Sequence, residues 1–159
     1  MSNDRWDRYF LEIAVASAMM SKDPSTGVGA VIVGREQEVL ATGFNGFPRG
    51  VLDTDDRLLQ RDVKLELVVH AELNAILSAA RNGVQLRGST LYVVCLDKVA
   101  NTLWGTLPCI RCAVEIIQAG ISEVVYGVSN HQPKKSWDMF NKTDQIFSEA
   151  CVSWRTIKI

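Results

Sequence analysis

The chain has 159 residues, of which 47% are hydrophobic and 22% charged, with a formal net charge of −1. That length can enclose a core as one domain over residues 1–159 without disulfide staples. The near-neutral balance excludes a disordered chain and one drawn to polyanions by bulk charge. No apolar run approaches the ~20 residues of a membrane span, and Met1 to Arg8 are polar and charged, so a cytoplasmic protein with no membrane partner is expected.

In chain order, Trp6, Phe10, Ile13, Ala14 and Ser17 fall at steps of three and four, which predicts a first helix. After Asp23-Pro24, Val28 to Val33 and Glu38 to Thr42 read as a hairpin turning at Gly34 to Gln37. Phe44 to Lys64, rich in Gly, Asp and Arg, reads as a long loop. From His70 a run of good helix formers continues to the stop at Asn82-Gly83. Thr90 to Leu96 is a buried strand, Cys109 to Ala119 a helix behind Pro108, and Ile121 to Val128 a strand, an order that predicts a parallel crossover. A helix from Ser136 to Ala150 and a strand from Val152 to Lys158 follow. The expected class is α/β, a three-layer α/β/α fold around a central mixed sheet of about five strands.

Four cysteines stand at positions 95, 109, 112 and 151. Without an export signal, the close pair Cys109 and Cys112 reads as metal-binding or redox-active rather than as half of a disulfide framework. Cys95, in a buried strand, and Cys151, beside the last one, read as small core hydrophobes. A redox pair leaves His70 and Glu72 unexplained. One histidine and two thiolates, in contrast, suit a catalytic Zn2+, which takes three protein ligands and leaves a fourth position for water. Two thiolates also neutralise the dication, and helix N-termini favour their charge. In a regular helix His70 and Glu72 diverge by about 200° at ~3.6 residues per turn, so their cooperation needs His70 in an irregular first turn. Glu72 is then placed to move protons rather than to bind metal. His131, the only other histidine, reads as a solvated loop residue.

His70-Ala71-Glu72 with Pro108-Cys109-Ile110-Arg111-Cys112 matches the recognised signature of zinc-dependent base deaminases. Ser21-Lys22-Asp23-Pro24, Gly43-Phe44-Asn45-Gly46-Phe47-Pro48 and Ile117-Gln118-Ala119-Gly120 complete a pattern, from Trp6 to Ile121, that resembles the deoxycytidylate deaminases of the cytidine and deoxycytidylate deaminase superfamily. The resemblance implies hydrolysis of dCMP to dUMP and ammonia, zinc on His70, Cys109 and Cys112, and Glu72 as proton carrier. It also implies that Asn45 contacts the sugar, with Ala71 beside the substrate and Ser21 and Lys22 at the phosphate. The loop carrying Gly43, Phe44, Gly46 and Arg49 forms either the substrate rim or an allosteric dCTP site. Activation by dCTP, inhibition by dTTP and a homo-oligomer, often a hexamer, follow from the same resemblance.

Two features stay open in the sequence. Arg111 faces either a partner subunit or the substrate. Asn130 either stands where the family usually presents a tyrosine over the pyrimidine, with Trp104 or Trp137 available as a replacement wall, or is a solvated loop residue. The charged segment Asp53 to Lys64 lacks interleaved aromatics, so no polynucleotide partner is expected. The competing readings are a deaminase of another cytosine nucleotide or nucleoside (CMP, dCTP, deoxycytidine or 5-substituted dCMP) and a silent zinc-stabilised nucleotide-binding module. Against the module stands Glu72, since a structural zinc has no use for a carboxylate two residues from its histidine.

Overall fold

The computed structural model describes residues 4–130 and 137–159, with side chains described outside 137–139. Helix α1 (Asp4–Met19) leads into the hairpin β1 (Thr26–Val33) and β2 (Val39–Phe44). Short helices α2 (Asp55–Leu59) and α3 (Arg61–Leu67) precede α4 (Ala71–Arg81). Then come β3 (Thr90–Asp97), β4 (Thr102–Trp104), α5 (Ile110–Gln118), β5 (Glu123–Val128), α6 (Trp137–Glu149) and β6 (Ser153–Lys158). The expected start of the last helix at Ser136 lies outside the described residues, as does His131.

The sheet runs β2-β1-β3-β5-β6, with β4 paired to β3. β1 is antiparallel to β2 and β3, while β3, β5 and β6 are parallel, so the sheet is mixed as expected. β-branched and aliphatic residues dominate its centre, and alternate side chains feed two cores. On one face Val31, Val33, Tyr92, Val94 and Val125 pack against Phe10, Leu11 and Ala14 of α1. On the other, Ala30, Ile32, Leu91, Val93 and Val124 meet Ala71, Ala75 and Ala79 of α4, Ala113 and Ile116 of α5 and Phe147 of α6. Two glycines set how closely the helices approach. A Cβ at Gly29 would collide with the Ala14 carbonyl of α1, and one at Gly43 with the backbone of Ala71 and Ala75 in α4.

Two expectations need correcting. The stretch from Phe44 to Lys64 is not one loop, because it contains α2 and the first turn of α3. These helices are too short to show a hydrophobic period, and in α2 Leu58 alone is buried. Strand β4 was likewise invisible in three residues, and it is reached through Asn101 at φ 52°. Cys151 is exposed at φ 56°, so it is a turn residue and not a core hydrophobe.

A buried ion pair ties α1 to the sheet. Asp7, 2% exposed, accepts two hydrogen bonds from the Arg155 guanidinium at 2.7 Å and one from Tyr92 Oη at 2.8 Å. Burial opposes the Asp7 charge, but the Arg155 and Tyr92 hydrogen bonds outweigh it and hold the carboxyl below its ordinary 3.8. A depressed carboxyl contributes stability above the unfolded value and loses it as pH falls through the lower folded value. Asp7→Asn should therefore cost about 2 kcal/mol at pH 7, moderated by the partial exposure of Arg155. Urea denaturation should show that gap closing below about pH 3.8. A gap that stays constant down to pH 2 would remove the ion pair as its source.

Candidate metal centre and active site

Local sequence places the three metal donors at helix starts. His70 is the N-cap of α4, with φ −68° and ψ 155°, so its side chain leaves the helical path while Glu72 sits in the first turn. Cys109 is the N-cap of α5 in the same extended conformation, and Cys112 follows inside the helix. Thr143 of α6 fixes the approach to Cys109 by donating to the Pro108 carbonyl at 3.0 Å. Gly46 holds the approach to His70 through paired backbone bonds with Val69 at 3.1 and 2.8 Å.

Cys109 Sγ and Cys112 Sγ lie 3.5 and 3.3 Å from His70 Nδ1, and all three donor atoms fall within 4.8 Å of one another. Zinc bonds of about 2.1 Å to nitrogen and 2.3 Å to sulfur at tetrahedral angles separate such donors by about 3.6 Å. The donor set therefore fits zinc in both spacing and chemistry. The two sulfur groups hydrogen-bond to one another. A hydrogen bond from Cys112, then one with His70, hold Cys109 low against burial. Hydrogen bonding to Cys109, then burial, push Cys112 up. The hydrogen bond with Cys109 likewise raises His70, against burial. A dication at this point favours both thiolates and a neutral imidazole.

His70 and Cys109 open onto a cavity of about 350 Å³. Val28, Val93, Cys95, Trp104 and Leu107 supply its apolar wall, and Asn45, Thr26 and Thr106 supply polar groups. Cys95 is thus both 5% exposed and part of this wall. The lining carboxylates are Asp23 and Glu72. Asp23 is committed: its Oδ1 accepts from Ser25 and Thr26, and its other oxygen pairs with Lys64 Nζ at 3.0 Å. Glu72 is 6% exposed, and its burial raises its carboxyl pKa, which suits a group that must both take up and release a proton.

Several residues singled out in the sequence lie elsewhere. Lys22 pairs with Asp53 at 2.9 Å and lines a second cavity of about 280 Å³ with Phe44, Gly46 and Arg49. Ser21 is buried, its hydroxyl accepting from Asp23 N–H and its carbonyl from Lys98 Nζ. Gly43 serves the packing of α4 described above. Asn130 is exposed beyond β5 and does not line the cavity of His70. Trp104 does line it, whereas the Trp137 side chain lies outside the described residues. Arg111 is exposed, 3.7 Å from Glu115. Ala71 and Asn45 do line the cavity, although Asn45 already accepts from Val28 N–H at 2.7 Å and donates to the Thr26 carbonyl at 2.9 Å. Sequence reasoning missed Arg61 and Lys64 as lining residues. The signal was there in the spacing of Arg61, Lys64, Leu65 and Val68, one helical face.

The family model for the cytidine and deoxycytidylate deaminase zinc-binding region matches residues 4–128, a span that includes the whole donor set. The chain belongs to this deaminase family. Its cofactor is zinc. Among relatives of this family member, a deoxycytidylate deaminase of Mus musculus is 41% identical over 128 residues, 76% of this chain and 64% of its own length. The chain thus spans about two thirds, and no more, of the mammalian relatives it matches. A protein described as an uncharacterized deaminase in the luxG 3' region of Aliivibrio fischeri is 35% identical across 98% of this chain and 97% of its own. The fold is shared with the crystal structure of a dCMP deaminase from the cyanophage S-TIM5 in apo form, at a TM-score of 0.67, 22% identity, and coverage of 99% and 100%.

Proposed function

We propose that this deaminase hydrolyses dCMP to dUMP and ammonia, a reaction that supplies deoxyuridylate for pyrimidine deoxynucleotide synthesis. One observation carries the reading: the buried carboxyl of Glu72 lines the same cavity as His70 and Cys109 of a zinc-compatible His-Cys-Cys donor set. The similarity to named deoxycytidylate deaminases supports the choice of dCMP. In this proposal His70, Cys109 and Cys112 hold the ion, which when bound supplies a water ionised near neutral pH. Glu72 carries one proton of the water to N3 of the cytosine ring, and then carries the second, from the hydroxyl added at C4, to the departing amine. The apolar wall of Val28, Val93, Leu107 and Trp104 holds the ring and excludes bulk water. Asn45 keeps one amide hydrogen and one lone pair for the sugar.

Ammonia release should rank dCMP above CMP, dCTP, cytidine, deoxycytidine and 5-substituted dCMP. Deoxycytidine or CMP as the best substrate would replace dCMP in this account. We place the activity in the cytoplasm, where the zinc thiolates stay reduced. No helix among the described residues is long and apolar enough to cross a membrane. We also propose a homo-oligomer, a hexamer by family resemblance, in which the second cavity around Phe44, Gly46 and Arg49 takes nucleotide effectors. Added dCTP should raise the initial rate and dTTP lower it. Flat rates with both would remove regulation from that cavity.

A further inference from the structure

Helix α3 presents a graded face to the cavity that contains His70. Its lining residues are Arg61, Lys64, Leu65 and Val68, spaced i, i+3, i+4 and i+7, and so share one side of the helix. Val68 lies two residues from His70, whereas Arg61 begins the helix seven residues earlier. At 1.5 Å per residue that interval is about 10 Å, the scale of a nucleoside monophosphate. Along the chain the apolar end of the face therefore adjoins His70, and the cationic end stands at the far end of the helix.

The two cations differ in availability. Lys64 is fixed by Asp23 at 3.0 Å, and Asp23 is itself saturated by Ser25 and Thr26, so the lysine charge is largely neutralised in place. Arg61 is exposed and has no ion-pair partner among the described residues. Lys22, the other candidate for an anion, pairs with Asp53 and lines the second cavity instead.

Resting on the deaminase reading, we infer that Arg61 is the determinant of phosphorylation state at this site, binding the 5′-monophosphate of the nucleotide. A guanidinium offers two parallel N–H donors to a phosphate, a geometry that neither an ammonium nor a neutral side chain reproduces. The residue is remote from the reacting amine, so it acts on substrate choice and not on the proton transfers.

The test uses the reaction products, which are not turned over. Isothermal titration of zinc-loaded protein with dUMP and with deoxyuridine should show a dUMP Kd raised roughly ten- to hundredfold by Arg61→Gln, with deoxyuridine binding unchanged. Arg61→Lys should recover part of the loss. Equal weakening of both ligands would make the role structural and overturn the inference, as would an unchanged dUMP Kd. A phosphate-selective loss in Lys22→Gln, with Arg61→Gln silent, would overturn it in favour of the other cavity. Failure of the deaminase reading looks different: phosphate-selective dUMP binding through Arg61 with no ammonia released from dCMP.

Discussion

Glu72→Gln is expected to lower kcat for dCMP by about 10²- to 10⁴-fold, the range that a positioned proton carrier contributes. Zinc content should stay at one ion per chain, because the change leaves His70, Cys109 and Cys112 in place. Folding should not suffer either. The carboxyl is 6% exposed and burial raises its pKa, so its ionised form works against stability at neutral pH. A neutral isostere removes that cost, and the melting temperature should hold or rise. Turnover within a few-fold of the parent would leave the proton transfers without their carrier. A fall in zinc content would instead make Glu72 part of the metal site.

Removing the metal should have the second large effect. Chelation, Cys109→Ala or Cys112→Ala should each take zinc from one per chain to near none and abolish ammonia release. Zinc at about a thousandfold its Kd stabilises the folded state by about 4 kcal/mol. In a domain of this size that corresponds to a melting shift of roughly 8 to 16 °C. Cys151→Ala should retain zinc, since Cys151 is exposed in a turn. Cys95→Ala should also retain it while loosening the cavity wall. Zinc lost from Cys95→Ala but kept by Cys112→Ala would point to a closed structural site built from different ligands.

The candidate metal centre was legible in the sequence because each half of it, His70 with Glu72 and Cys109 with Cys112, has a spacing dictated by short-range geometry. His70 and Glu72 can cooperate only if the histidine stands outside the regular helix, and the N-cap conformation at His70 meets that requirement. The parallel β3-α5-β5 unit was equally legible from the lengths and punctuation of its segments. The rest of the cavity was not, because its residues converge from elements distant in sequence. Lys64 reaches Asp23 across 41 positions, from a segment that read as a charged loop to a motif position beside a proline. Lys22 shows the converse: a motif position suggested a phosphate ligand, but Asp53, invisible as a neighbour in the sequence, takes its charge. Gly43 looked like part of a ligand loop, and the close approach it permits is to α4 instead. Glycine in a motif records a need for space without saying what fills it.

The most direct test of the central claim is product analysis of dCMP incubated with zinc-loaded protein, before and after the metal is stripped and restored. The account predicts dUMP and ammonia in equal amounts, loss of both on stripping, and recovery when zinc is returned. Unchanged dCMP in the presence of folded protein carrying one zinc per chain would contradict it.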